Sequence, residues 1–139
     1  MQEIEPVPEE VTLVMIKPDG VMRGLTDEII DTFRKSGLCL QYKEEIIFTV
    51  EKAGMFYSNK VGEPELHQNL ISYLTSGRCV VLLLSGINAN TRARQIIGET
   101  SSNTGGNGLR GKYAMSALKD TVHGSRDMNE FYHSMDVLF

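Results

Sequence analysis

Two short, almost wholly apolar runs most constrain what this chain can fold into: residues 11–16 (Val-Thr-Leu-Val-Met-Ile) and 79–84 (Cys-Val-Val-Leu-Leu-Leu). Each is too short for a buried helix and is flanked by turn residues, so each reads as a strand covered on both faces. The first stops at Pro18-Asp19-Gly20; the second is placed at the centre of a sheet. Between and after them the spacing turns helical. Thr26 followed by Asp27-Glu28 predicts a capped helix carrying Ile29, Ile30 and Phe33 and ended by Gly37. Residues 38–50 read as a second strand region broken at Lys43-Glu44-Glu45. A short helix is expected over 51–57. Pro64 opens another, with Leu66, Leu70, Ile71 and Leu74 at helical intervals. Asn90 or Thr91 starts a helix with Ile96 and Ile97. Residues 98–111 lose all periodicity and hold five glycines. An extended piece over 121–123 precedes a last helix capped by Ser125. Alternating strands and helices predict an α/β or α+β domain.

At 139 residues the chain is one domain, with residues 11–139 as its body and residues 1–10 as an acidic, flexible extension of four Glu and two Pro. That segment lacks the basic start and apolar stretch of a secretory leader, and no run approaches the length that spans a bilayer, so the expected address is the cytoplasm. Fourteen Lys and Arg stand against eighteen Asp and Glu, a net charge of −4. An acidic body without a basic stripe argues against membrane and specific nucleic-acid partners, and any anion site has to be built by local concentration of cations. Cys39 and Cys79 lie in apolar runs and read as buried thiols rather than a disulfide.

Chemistry concentrates in three places. Lys17 follows a strand end, where α/β folds place ligands, and Gly20 is available for a positive φ that aims it off the sheet; a solvated turn lysine is an equally good reading of that feature alone. Arg94, Thr100 and Arg110 flank the Gly-rich loop, whose guanidiniums and backbone N–H groups suit an oligophosphate, although a surface loop with ordinary ion pairs fits the loop alone. His123-Gly124-Ser125 combines a potential phosphorus nucleophile with a glycine that lets a ligand approach. His67 and His133 lack such context and read as structural or surface residues. Three histidines without an acid or thiol at ligand spacing do not make a zinc site.

Residues 12–25 (Thr-Leu-Val-Met-Ile-Lys-Pro-Asp-Gly-Val-Met-Arg-Gly-Leu), 97–100 (Ile-Gly-Glu-Thr), 109–111 (Leu-Arg-Gly) and 122–125 (Val-His-Gly-Ser), in this order and spacing, resemble the nucleoside diphosphate kinase family. The resemblance runs from Thr12 to Phe139. It implies a ferredoxin-like sandwich with a four-stranded antiparallel sheet covered by helices. It also implies transfer of the terminal phosphate of ATP or another nucleoside triphosphate to a nucleoside diphosphate, by a ping-pong route through phosphohistidine. His123 matches the phosphorylated residue. Lys17, Tyr57, Arg94, Thr100 and Arg110 match residues that hold phosphates and sugar, with Gly124 and Ser125 beside the nucleophile. Mg²⁺ is expected on the nucleotide phosphates rather than in a protein cage, and the assembly is expected to be a homo-oligomer, hexamer or tetramer.

Three positions depart from the family pattern. Leu66 stands where an aromatic shelf supports the base, which implies weaker nucleotide binding. Asp120 replaces an asparagine. An unpaired carboxylate about 4 Å from a phosphate costs roughly 1 kcal/mol in water and about 4 near a protein surface, so Asp120 is expected to be neutralised, with Lys119 as one source, or to bind Mg²⁺. Ser134 occupies the place of a glutamate that orients the imidazole, which implies a slower enzyme unless Glu130 or another acid reaches the ring. These departures also motivate the alternative of a catalytically weak or inactive regulatory relative.

Overall fold

The computed structural model describes residues 9–98, 108–116 and 119–139. The elements run β1 (Glu10–Ile16), α1 (Pro18–Met22), α2 (Thr26–Lys35), β2 (Cys39–Ile46), α3 (Val50–Phe56), a 3₁₀ turn (Ser58–Lys60), α4 (Pro64–Leu74), β3 (Cys79–Gly86), α5 (Ala89–Ile97), α6 (Gly108–Tyr113), β4 (Val122–Gly124) and α7 (Met128–Leu138). The strands form one antiparallel sheet in the order β2-β3-β1-β4. This is the four-stranded antiparallel sheet with helices that the resemblance implied.

The two apolar runs are the two central strands, and their side chains alternate between two cores, as the period of 2 requires. Val14 and Ile16 of β1 join Val80, Leu82 and Leu84 of β3 under α2, α5 and α6, around Ile29, Phe33 and Ile97. Leu13 and Met15 join Cys79 and Val81 under α3, α4 and α7, around Phe56, Leu74 and Phe131. Burial on both faces explains why β1 and β3 read as continuous hydrophobic runs. β4 lies at one edge, with His123 opposite Met15 and therefore on the α3/α7 face.

Several local expectations are corrected. β2 continues unbroken through Lys43-Glu44-Glu45, with a register irregularity between Leu40 and Tyr42. It is an edge strand with mostly exposed side chains, where charges cost little. Cys39, at its start, is exposed rather than buried; Cys79 is buried. Thr26 is the first residue of α2 and its hydroxyl makes no capping bond. Ser125 does not cap α7 either: its N–H is tied to the Leu13 carbonyl at 3.0 Å, and the cap is Asp127, whose carboxylate accepts the Glu130 N–H at 2.9 Å. The pattern-free stretch ends in α6, a short helix that buries Leu109 and Arg110. β1 already includes Glu10, whose carboxylate accepts the Asn90 N–H at 3.2 Å. Residues 1–8 of the expected acidic extension, Thr100 and most of the Gly-rich loop lie outside the described residues.

Pro18-Asp19-Gly20 forms the single-turn helix α1, with Pro18 in its first turn. Gly20 is not among the positive-φ residues. Its importance is close packing: a Cβ there would sit 2.8 Å from both Ile16 Cγ2 and Thr121 Cγ2. Gly20→Ala is predicted to destabilise the fold by about 1–3 kcal/mol through overpacking of β1 against the approach to β4. Urea unfolding checks this, and a midpoint equal to that of the unmodified protein would contradict it.

Candidate active site

The site forms where the end of β1, the approach to β4, and helices α5, α6 and α7 converge. Lys17 follows β1, and its N–H donates to the Thr121 carbonyl at 2.8 Å, which extends the β1–β4 pairing by one step. Thr121 adopts φ +74°, a strained conformation for a β-branched residue that costs of order 1–3 kcal/mol. Its carbonyl is held by Lys17, and its hydroxyl donates to Asp19 Oδ2 at 2.7 Å. Asp19 also accepts the Tyr73 hydroxyl. Burial holds the Asp19 carboxyl above its usual range, against the opposing pull of the Thr121 hydroxyl and Lys17. The strained residue is thus locked by a buried carboxylate from α1, and its neighbours Asp120 and Val122 are fixed with it.

Asp120 is 4% exposed. Lys17 Nζ lies 2.7 Å from its Oδ1 and Arg110 Nε 3.2 Å from its Oδ2. Arg110, on α6, also donates to the Val122 carbonyl at 3.0 Å. Burial pulls the Lys17 ammonium down, but Tyr57 and Asp120 outweigh it and leave the group above its ordinary value. Arg94, on α5, donates to the Gly124 carbonyl at 3.3 Å. Three cations therefore meet at the β4 edge, two of them joined by one carboxylate.

The His123 side chain is 17% exposed and touches the rings of Phe56 (centroids 5.1 Å apart) and Tyr57 (6.4 Å), both edge-on. Its pKa is pushed well below the ordinary histidine value, first by burial and then by the charges of Lys17, Arg110 and Arg94. At neutral pH the ring is an uncharged imidazole with a free lone pair, which is the nucleophilic form. Glu130 Oε1 stands 3.7 Å from Nε2, and its other oxygen is 3.7 Å from Arg126 Nε.

Lys17, Tyr57, Leu66, Arg94, Arg110, Asp120 and His123 all line one cavity of about 820 Å³. Leu66 reaches its rim from α4, partly exposed, and supplies an aliphatic surface with no aromatic ring. Gly124 and Ser125 do not line the cavity. Gly124 instead packs beneath it, where a Cβ would meet Ile97 at 2.5 Å, and the buried Ser125 hydroxyl has no hydrogen-bond partner among the described residues. Asp120 is neutralised by Lys17 and Arg110 rather than by Lys119. Ser134 lines the cavity from α7, and one helical turn earlier Glu130 is the acid beside the ring. Arg126 and Asn129, also on the wall, were not singled out by the sequence. The only sequence signal for this cluster is the Asp127–Glu130 capping pattern, which places Glu130 in the first turn of α7. His133 reaches the wall as well, with Nε2 3.0 Å from the Met55 carbonyl, while His67 Nε2 lies 3.2 Å from the Gly54 carbonyl. Among the described residues no group of three His, Cys, Asp or Glu side chains is placed to hold a metal ion.

Comparison with known proteins identifies the family and the fold. The family model for nucleoside diphosphate kinase matches residues 10–139. The nucleoside diphosphate kinase of Staphylothermus marinus is 38% identical over 131 residues, covering 94% of this chain and 92% of that protein. The enzyme of that name from Ignicoccus hospitalis is 35% identical, covering 94% and 88%. The crystal structure of the Aquifex aeolicus nucleoside diphosphate kinase superposes with a TM-score of 0.87 at 29% identity, covering 95% of this chain and 96% of that one. With one continuous family match and a shared fold over nearly its whole length, this chain belongs to the nucleoside diphosphate kinase family.

Proposed function

We propose that this protein moves the terminal phosphate of a nucleoside triphosphate onto a nucleoside diphosphate through a phosphorylated His123. The observation that carries this reading is an imidazole kept uncharged on the wall of a cavity whose other walls present Lys17, Arg94 and Arg110. Glu130 beside Nε2 favours the tautomer with its proton on that nitrogen, leaving the Nδ1 lone pair to attack the γ-phosphorus. As the N–P bond forms, the bond from phosphorus to the β,γ-bridging oxygen breaks, and the nucleoside diphosphate leaves with that electron pair. A second diphosphate then enters the same cavity; its terminal oxygen attacks the phosphorus, the N–P bond breaks, and the neutral ring is restored. The chain's work is positioning and charge stabilisation by three cations, the usual demand of phosphoryl transfer.

Mg²⁺ fits this site as part of the incoming nucleotide, since Lys17, Lys60, Arg94, Arg110 and Arg126 outnumber Asp120, Asp127 and Glu130 on the cavity wall and suit phosphate oxygens. When bound it neutralises phosphate charge. Lys17, Arg94, Arg110 and Thr100 would hold the phosphates, Tyr57 and Asp120 would lie near phosphate and sugar, and Leu66 would touch the base. With Leu66 in place of an aromatic shelf, the site is expected to read the base loosely. Assembly as a homo-oligomer, hexamer or tetramer, and a cytoplasmic setting belong to the same proposal; among the described residues no helix is long and apolar enough to cross a membrane. The alternative of an inactive regulatory relative loses part of its motive, because Glu130 stands beside the ring where Ser134 cannot supply charge, and because Asp120 is paired.

Incubation with Mg-ATP carrying a labelled γ-phosphate is predicted to label the protein with acid-labile, base-stable phosphate that is lost on adding a nucleoside diphosphate. The label should be absent from His123→Ala; a His123→Ala protein that still labels would overturn the assignment. The pH dependence has a definite sign. A histidine whose folded pKa is depressed stabilises the fold least in acid: the unfolded chain gains a proton near pH 6.5 and the folded one only well below it, so stability falls as pH drops through that window. The acid limb of kcat/KM should likewise lie well below 6.5 and move upward in Arg94→Gln, where one depressing charge is gone; a limb at 6.5 in the unmodified protein would contradict the neutral-ring account. Glu130→Gln is predicted to lower kcat about tenfold with little change in KM, and Ser134→Glu added to it should restore part of the loss. An unchanged kcat in Glu130→Gln would remove Glu130 from the mechanism.

A further inference from the structure

Asp120 has no part in the transfer steps above, yet it is a buried carboxylate at the centre of the site, enclosed with Lys17 and Arg110. Its two oxygens face Lys17 Nζ at 2.7 Å and Arg110 Nε at 3.2 Å, and it is 4% exposed. All three side chains line the cavity that holds His123. The carboxylate is anchored from behind: the next residue, Thr121, is fixed by the Lys17 N–H and by Asp19. Asp120 thus occupies the lysine and one guanidinium with a single negative charge, much as a phosphate oxygen would. Arg94, the third cation at the β4 edge, donates to the Gly124 carbonyl at 3.3 Å.

From this juxtaposition we propose that Asp120 is an internal competitor for incoming phosphate, one that sets the affinity of the site by exchange. It keeps Lys17 and Arg110 charged and in place while the cavity is empty of anions. A nucleoside diphosphate binds by drawing Lys17 off the carboxylate, so each binding event is offset by a broken ion pair. The chemical consequence suits a pocket that must admit one diphosphate after releasing another: diphosphate is held loosely enough to leave. The inference rests on the reading of this cavity as a phosphate site, and makes Asp120 its affinity-determining residue.

Equilibrium binding of ADP, measured by calorimetry without turnover, tests it. Asp120→Asn keeps the shape and an acceptor for Lys17 but removes the charge. It is predicted to lower the Kd for ADP at least fivefold, with a matching fall in KM. A Kd that is unchanged or higher would overturn the proposal and leave Asp120 a prop for the two cations. A second measurement needs no variant: in a crystal of the unmodified protein soaked with ADP, Lys17 Nζ should lie beyond 3.5 Å from Asp120 and within hydrogen-bond distance of a phosphate oxygen. A complex in which Lys17 stays on Asp120 would overturn it equally. The phosphohistidine reading fails separately. Absence of label on His123 with tighter ADP binding by Asp120→Asn would sink the transfer mechanism alone, whereas normal labelling with unchanged ADP binding would sink this inference alone.

Discussion

The structure depends on the buried ion triad of Lys17, Asp120 and Arg110. Burying three charges is expensive unless each is satisfied, and removing one member of such a set leaves the others uncompensated. Here the contacts join three separate pieces of chain: the residue after β1, the approach to β4, and α6. A hydrophobic substitute could hold these elements together, but it could not leave cations on the wall of a cavity. The triad is therefore best understood as the means by which a small acidic domain keeps positive charge concentrated where it would otherwise repel itself. The depressed pKa of His123 follows first from burial of the ring and then from the same concentration of charge.

Around the triad the fold supplies rigidity in layers. The two central strands carry side chains into both cores, so the edge strand β4 is pinned to an element that cannot shift without disturbing either. Thr121 stores strain just before β4, held by Asp19 and the Lys17 N–H. Strain of this kind persists only where surrounding contacts over-determine it, and it clusters where side-chain placement matters. Gly20 allows the packing, since α1 lies too close to Ile16 and Thr121 for any side chain.

Much of this was legible in the sequence because its signals are local. The runs at 11–16 and 79–84 became the two-sided central strands, since burial on both faces writes itself as uninterrupted apolar residues. Lys17, Arg94, Arg110 and His123 were found through short motifs in order, and the fold brings them to one cavity. What escaped depends on relations the chain does not spell out. Charges at 43–45 suggested a break, but an edge strand tolerates them. Thr26 and Ser125 have capping chemistry, yet which residue caps depends on where the preceding backbone is tied: Ser125 is tied to Leu13 and Asp127 is free to cap. Lys119 is adjacent to Asp120 in sequence, but the partners in space are 103 and 10 residues away. The sequence offers Glu130 as an acid that could reach the ring; that it does so depends on the direction of α7, which no spacing rule fixes.

The central claim is that phosphate passes through a covalent intermediate on one imidazole rather than directly between nucleotides. The stereochemistry at the transferred phosphorus reports on this most directly, because each in-line displacement inverts it. With a γ-phosphoryl group made chiral by oxygen isotopes, two successive displacements through His123 predict net retention of configuration in the product. Net inversion would mean a single direct transfer, and would contradict the account.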